Sequence, residues 1–451
     1  MNCSLLRRLC IMIGLVALLP TVENAADARR LTLPEAVHLA LTQNHTLKIA
    51  RLKVVENEQK KAGERSSYFP KITNQSNALH ITDLENIIIP AGALGAAAGT
   101  LIPAQSAGIL QGEKTVVSSG TQLTQPLTQL IRIHAANQIA SAETAASRDN
   151  VKNAENQVAV QVHTLYFGIL IAQLQKQAAE QQVAFADENL RETEEDVRAG
   201  SALNVSAIQS RAEVLESQQS ALTAELQISD MTSELNDLLG LPLNTQLQLD
   251  PSVPSSLQEQ TRDEYVKTAW AGNPEILAAQ EAIRKAEAGV TAAKSAYLPD
   301  ITAYARQSYQ NGVPFVVHNF GTFGVNLDWD VFDFGKRRAA VREREAQLAE
   351  AEENLKRLKE EIAVRIEKSY NKLERTKHMV QVADQVVTLR RESERLAQNR
   401  LIQGVALVSE RREATAETYK AQAEYLQATL GYLLAGAELE REAGRTPGLQ
   451  P

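Results

Sequence analysis

Along 323–331, apolar side chains take every second position (Phe323, Val325, Leu327, Trp329 and Val331), and Asn326, Asp328 and Asp330 stand between them. A period of two predicts a strand with one apolar and one polar face. Past Phe334 and Gly335 that period is lost, and no Gly or Pro occurs over 336–403. Such a run predicts a helix of roughly 100 Å, at ~1.5 Å per residue. A helix of that length has no use inside a single compact domain.

The order of elements around this stretch occurs twice. Thr32 and Glu35 form a capping-box pattern with Pro34 in the first turn, Asn44 breaks the helix that follows, and 68–73 switches to extended chain. Thr261, Glu264, Asn273 and 297–302 repeat those features 229 positions later. A second set of matches, Gln122 with Asn326, Gly200 with Gly404 and Ala212 with Ala416, runs at an offset of 204. The offset falls by 25 because the first half carries an insertion between its two strands. Self-similarity of this kind defines the architecture before any single element does. One unit (helix, strand, loop, strand, long helix, turn, helix) is used at 29–250 and again at 261–445, with a linker at 251–260 and a tail at 446–451.

The first long helix is predicted from about His134 to Ala199, interrupted at Gly168. Two heptad rows lie on it: Val151, Val158, Leu165, Ala172, Ala179 and Ala186, and Val162, Ile169, Val183, Leu190 and Val197. Rows three and four residues apart make a coiled-coil seam. In the second half Val341, Leu348, Leu355 and Ile362 repeat every seven among Glu, Lys and Arg, which read as a solvated face. Gly200 and Gly404 end the two long helices, as residues that accept a left-handed backbone do. The chain then returns as antiparallel helices over 201–239 and from 405 to about 430.

Strands of 9 to 13 residues with one apolar face suit tilted spans of an outer membrane. The other candidates, at 70–81, 115–127 and 300–309, alternate less cleanly than 323–331. A sheet in hydrocarbon must close, since each unpaired backbone group costs several kcal/mol. Four strands cannot close, because membrane barrels begin at about 8. Copies of the chain must therefore pool strands in multiples of four.

Composition narrows the field further. Aromatic residues make up only 4% of the 451 residues, while Ala, Gln, Glu, Leu and Arg dominate, as in long helices rather than a thick globular core. The net charge of -8 argues against a nucleic-acid partner. Arg7 and Arg8, an apolar run over 9–19 and Ala26-Asp27-Ala28 predict a secretory signal at 1–28. Both cysteines, Cys3 and Cys10, fall inside it, leaving no thiol chemistry to the mature chain. The insertion at 83–114 contains Gly95 and Gly99 at the small-residue helix spacing, but Pro90 and Pro103 leave too short an interval for a membrane helix. It reads as a long extracellular loop folding over the mouth, the alternative being a membrane-inserted hairpin. No cofactor, metal or catalytic signature is found, so an enzyme is not expected.

The opening Leu31-Thr32-Leu33-Pro34-Glu35-Ala36-Val37, with Ala40, Leu41 and Asn44, resembles the first-helix signature of the outer-membrane efflux protein family, the TolC-like channels. Trp329-Asp330-Val331-Phe332-Asp333-Phe334-Gly335 is similar to that family's strand-to-helix junction, and the likeness covers nearly all of the mature chain. It implies a mixed α and β fold in which a long antiparallel coiled-coil α-barrel continues an antiparallel transmembrane β-barrel, four strands per chain, closed by a homotrimer. It also implies a passive export channel in outer-membrane lipid that reaches into the periplasm. A periplasmic adaptor and an inner-membrane pump would drive cargo through it.

In the family the tip turns, here Gly200, Leu203, Gly404 and Leu407, meet the adaptor. The constriction beside them would be lined by Glu410 and Glu413, matched in the first half by Ser206 and Gln209, which are not acidic. A carboxylate ring at a narrow pore favours cations. Leu401 and Ala406 stand where the family's gating Tyr and Arg are expected, so those side chains of a polar lock are absent from these positions. On the strand, Phe323, Val325, Leu327, Trp329 and Val331 would face lipid and Asn326, Asp328 and Asp330 the lumen. A soluble periplasmic coiled-coil adaptor or scaffold is the alternative, and it leaves the alternation at 323–331 without a purpose. A general diffusion porin would have no use for the helices.

Overall fold

A computed structural model describes residues 29–252 and 260–448. The predicted signal at 1–28 with both cysteines, most of the linker and the end of the tail lie outside those residues. A three-residue strand β1 (Arg29–Leu31) precedes helices α1 (Leu33–Gln43) and α2 (His45–Ser66) and strand β2 (Lys71–His80). The insertion holds four short strands, β3 (Asn86–Ile89), β4 (Ala96–Ala97), β5 (Thr100–Leu101) and β6 (Ala107–Leu110). Strand β7 (Thr115–Pro126) leads to α3 (Leu130–Ala199), α4 (Asn204–Leu239) and β8 (Leu247–Leu249). The second half follows as α5 (Arg262–Gly272), α6 (Pro274–Ser295), β9 (Asp300–Asn311), β10 (Asn319–Asp328), α7 (Lys336–Ile402) and α8 (Val408–Glu442).

The element boundaries keep both offsets read from the sequence. Helices α1 and α5 have 11 residues each and α2 and α6 have 22, and each later partner starts 229 positions on. Strands β7 and β10 start 204 positions apart, at Thr115 and Asn319. Both capping boxes form: the Glu35 carboxylate accepts from Thr32 N–H at 3.0 Å, and that of Glu264 from Thr261 N–H at 2.8 Å. The two helix-breaking asparagines do equivalent work. Asn44 donates to Leu238 O at 3.1 Å and Asn273 to Glu442 O at 2.9 Å, so each break ties its own half's returning helix. Behind those carbonyls stand Gly240 and Gly444, at φ +68° and +86°; a Cβ on Gly444 would sit 2.6 Å from Asn273 Cα.

Helix α3 is the interior member of the bundle. It packs against α4 and α8 toward one end and against α2 and α6 toward the other, while α7 packs on α8, α6 and α5 and, among the described residues, has no helix on its other side. Its side chains follow that position. Val158, Val162, Tyr166, Ile169 and Leu170 are buried with Leu47, Leu235, Leu239 and Leu430 in the larger core cluster. The Tyr166 hydroxyl lies 2.9 Å from Leu31 O and 2.8 Å from Asp250 O, pinning the parallel β1–β8 pair to the helix. A smaller cluster joins α5, α6, α7 and α8 through Tyr265, Ile276, Ile362, Ile366, Leu373 and Leu439. One stretch of α3 is apolar enough to cross a bilayer, but 56% of it is buried against this chain's own helices, as in a core helix. Ion pairs strap the helices outside the cores. Glu143 of α3 reaches Lys60 on α2 at 2.7 Å and Lys285 on α6 at 2.8 Å.

The four long strands form one antiparallel sheet in the order β10-β9-β7-β2, leaving β10 and β2 as free edges among the described residues. The structure departs from the sequence reading at three points. Strand β10 ends at Asp328, so Trp329, Asp330 and Val331, expected in the strand, lie on the connection to α7. The reason is its partner: β9 begins at Asp300, opposite Asp328, and the residue before it is Pro299, which has no N–H to continue the ladder. Helix α3 starts at Leu130 and passes through Gly168 unbroken. That glycine serves packing, since a Cβ on it would meet Met231 Sδ of α4 at 2.8 Å. Finally, the insertion is an ordered hairpin in which β3 pairs with β6 and β4 with β5.

Candidate functional site

Two regions carry the residues singled out from the sequence, the sheet with its junction to the helices and the far tips of the helices. In the sheet, residues opposite one another share a face. Phe323, Val325 and Leu327 stand opposite Ala305, Ala303 and Ile301 on β9, and their face continues through Leu123 on β7 to Ile72 on β2. Asn326 and Asp328 lie on the other face with Thr302 and Asp300, and that face carries Tyr304, Arg306, Gln122, Thr124 and Lys71. Two long side chains lie flat on it over glycines. A Cβ on Gly120 would stand 2.8 Å from Arg306 Nη2, and one on Gly324 would stand 3.2 Å from the Tyr304 hydroxyl. The polar face therefore has low relief.

The apolar face is not uniform. Toward the end distant from the helices it bears Asn74, Ser76, Ser119 and Thr121, which satisfy one another: Asn74 donates to Thr121 Oγ1 at 2.8 Å, and Ser76 Oγ lies 2.8 Å from Ser119 Oγ. Toward the helices the face ends in exposed aromatics, namely Phe69, Tyr297, Trp329, Phe332 and Phe334. Phe332 and Phe334 meet edge to face with ring centroids 4.6 Å apart. The turn among them is held by Asp333, whose carboxylate accepts from Gly335 N–H at 3.0 Å and Arg337 N–H at 3.0 Å. Bands of aromatics where strands end also mark the interfaces of membrane barrels.

At the tips, Gly200 caps α3 at φ +81° and Gly404 follows α7 at φ +72°. Leu203 and Leu407 are the N-cap residues of α4 and α8, both exposed and neither with a side chain that can accept a backbone N–H. Helix α8 takes its cap from elsewhere: the Glu192 carboxylate on α3 accepts Ser409 N–H at 3.0 Å, placing an acid on the positive end of α8. The two tip turns are thereby joined. Of the expected constriction residues, Glu410 faces Arg400 on α7 at 3.2 Å, and Glu413, one helical turn on, is exposed. Ser206 is half-buried in the first turn of α4, its N–H bonded to Leu203 O at 2.9 Å, and Gln209 is exposed. Sequence reading missed Glu192. The signal for it was negative, a helix start at Leu407 with no Ser, Thr, Asp or Asn to cap it.

Polar tips with exposed leucines, a sheet with one apolar face, a band of exposed aromatics at its end and helices that span the distance between are now in place. The outer membrane efflux protein family matches this chain over residues 36–241 and 265–445. The chain belongs to that family. The family is one of outer-membrane efflux channels, and membership places this protein in the outer membrane, extending into the periplasm. Its fold is that of the Campylobacter jejuni CmeC outer membrane channel, with a TM-score of 0.75, 16% identity and coverage of 91% of this chain and 85% of that one. A membrane protein from Pseudomonas aeruginosa superposes with a TM-score of 0.73 and 17% identity over 93% of this chain and 91% of that one. Among curated proteins, the outer membrane efflux protein BepC of Brucella suis biovar 1 (strain 1330) is 25% identical over 274 residues. That match spans 58% of this family member and 57% of the relative's length. Among the described residues no group of three or more His, Cys, Asp or Glu side chains is placed to hold a metal ion.

Proposed function

We propose that three copies of this chain form a passive export duct, a 12-stranded barrel in the outer membrane continued by a periplasmic tube of helices. One observation carries the reading. The sheet's free edges, β2 and β10, run on into the free edges of the helix layer, α2 with α4 on one side and α7 on the other. Both helical edges bear large apolar side chains that stay half or more exposed among the described residues: Ile208, Leu215 and Leu222 on α4, and Val382, Leu389 and Leu396 on α7, each set spaced by seven. Rows of that spacing are coiled-coil seams awaiting a partner helix. An edge of one kind meeting an edge of the other is a head-to-tail interface, which closes as a ring. Three four-stranded sheets make a barrel of about 12 strands, within the range known to close in membranes.

In this reading the face with Phe323, Val325 and Leu327 meets lipid, Trp329 and Val331 belong to the girdle, and Asn326 and Asp328 look into the duct. Asp330 then sits at the entry from the helical tube. Arg306 and Tyr304, lying flat over their glycines, keep the bore open. At the other end Glu410 and Glu413 narrow and charge the passage with Ser206 and Gln209 beside them. The turns at Gly200, Leu203, Gly404 and Leu407 meet a periplasmic adaptor that couples the duct to an inner-membrane pump. The segments 29–250 and 261–445 are two copies of one ancestral unit. Sedimentation of the detergent-extracted protein, with the detergent density-matched, tests the assembly. Three copies of the chain are expected, and a monomer or dimer overturns the duct. Val325→Arg, further from the girdle within β10, is expected to block barrel assembly at a cost of ~2–4 kcal/mol near the midplane, and normal assembly of that variant would exclude lipid contact there.

A further inference from the structure

The outward face of the sheet changes character before it ends. Apolar side chains dominate the levels nearest the helices: Leu327 and Ile301, then Val325 and Ala303, then Phe323, Ala305, Leu123 and Ile72. The next two levels are polar, with Asn74, Thr121, Gln307 and Gly321, then Ser76, Ser119, Tyr309 and Asn319. From Trp329 to Asn319, which stands opposite Tyr309, the ladder climbs about 25 Å at ~3.3 Å per residue and a tilt of about 40°. That is the height of the lipid-facing band of a membrane barrel. The two polar levels therefore fall in the outer part of the band, with Tyr309 at its rim.

A depression of about 710 Å³ lies where the two characters meet, with Ile72, Leu123 and Phe323 on its apolar side and Thr121 and Gln307 on its polar side. Gly321 keeps it open, since a Cβ there would meet nothing closer than Arg306 O at 3.9 Å. The apolar walls stand clear of the rest of the chain, Phe323 being 89% and Ile72 70% exposed. Beside the depression, the Gln307 amide donates to Asn319 Oδ1 at 2.7 Å. That bond leaves Gln307 Oε1 as an acceptor and the Asn319 amide as a donor, and turning both amides over leaves one of each again. Among the described residues nothing else in the chain takes them up. No outward position on the four strands is Asp, Glu, Lys or Arg.

Groups left open at this depth cannot rely on water and are costly unless lipid satisfies them. The ester-linked chains of a phospholipid offer acceptors alone. An amide-linked acyl chain offers an N–H and a C=O side by side, with a hydrocarbon tail to follow. A face without cations gives a phosphate no partner. We propose that each depression holds one glycolipid of the outer leaflet, a lipopolysaccharide, by an amide-linked acyl chain on its sugar. Gln307 and Asn319 pair with the amide, and Phe323, Leu123 and Ile72 pack the chain as it runs toward the helices. The proposal rests on the trimeric, lipid-facing reading above. A lipid held at one level also sets the depth at which the barrel rides in the leaflet.

Native mass spectrometry of the full-length protein in detergent, titrated with rough lipopolysaccharide or with phosphatidylethanolamine, tests it. The parent is expected to retain one lipopolysaccharide per chain and to bind it about tenfold more tightly than phosphatidylethanolamine. Gly321→Leu fills the depression on a backbone that any residue adopts, and is expected to weaken retention by about tenfold. Gln307→Val removes the amide pair while making the outward face more apolar. It is expected to weaken lipopolysaccharide retention by a similar factor, whereas unspecific lipid contact would be strengthened. Equal affinity for the two lipids, or variants that retain lipopolysaccharide as the parent does, overturns the site. The mass of the protein in the same spectra separates the two layers of the argument. A trimer without the lipid preference removes the site alone, and any other mass removes the reading beneath it.

Discussion

Helices α3 and α7 are counterparts in the two halves, 70 and 67 residues long, yet they are built from different chemistry. The buried positions of α3 run from Ala135 to Ala186, whereas those of α7 are Ile362, Ile366, Leu373 and Val387. The difference follows from placement. Helix α3 has neighbours from its own chain on both sides; α7 has them on one side, and its other face is left to Glu, Lys and Arg with a sparse apolar row. Burial within one chain therefore shows where a helix stands in the layer. It does not measure how much that helix matters to the assembly.

Substitutions can separate the two roles. The largest effect is expected at Ile169, 2% exposed in the α3 core, where Ala should destabilise each chain by ~2–5 kcal/mol; thermal unfolding of the isolated chain would register it. Leu389, 70% exposed on α7, should behave in the opposite way. Leu389→Asp is expected to leave the isolated chain within about 0.5 kcal/mol of its parent while lowering the sedimentation mass from the trimer. Equal loss of chain stability in both variants would break the contrast between interior and edge.

The strap between the layers gives a smaller, pH-dependent effect. Hydrogen bonds from Lys285 and Lys60 hold the Glu143 carboxyl below its ordinary range. The unfolded chain thus takes up that proton at higher pH than the folded one. The stabilisation is present above the usual carboxylate pKa and fades as pH falls through it toward the lowered value. Glu143→Gln should remove that part of the acid sensitivity, visible as a flatter unfolding temperature between about pH 5 and 3. The smallest effect concerns the tips. Glu410→Gln with Glu413→Gln should lower the cation preference of the duct in a planar bilayer without altering its stability. An unchanged reversal potential would assign these residues to an ordinary helix surface.

Much of the fold was legible because its signals are local. Thr32 with Glu35, Thr261 with Glu264, the breaks at Asn44 and Asn273 and the turns at Gly200 and Gly404 each depend on neighbours in sequence. What escaped depends on neighbours in space. Trp329 and Val331 keep the alternation of β10, but the strand stops where Pro299 deprives it of a partner. Gly168 looks like an interruption until Met231 is placed against it. Glu192 is one acid among many on α3 until α8 arrives without a cap of its own. The three-residue strands β1 and β8 are too short to show a period, and only the Tyr166 hydroxyl between them reveals why they pair.

The asparagine ties also bear on where the chain can change length. With Asn44 holding Leu238 O and Asn273 holding Glu442 O, each returning helix is fixed at one end by that bond and at the other by its tip turn. One residue added to either helix would rotate everything beyond it by about 100° and shift it by ~1.5 Å, and its partner helix would have to grow in step. Deletions meet the same constraint. The 25 residues by which the halves differ accordingly lie at the far side of the sheet, in the hairpin, where no opposing helix counts residues. Relatives of this chain should vary in length there and at the linker, and scarcely at all in the helices that run between the asparagine ties and the tips.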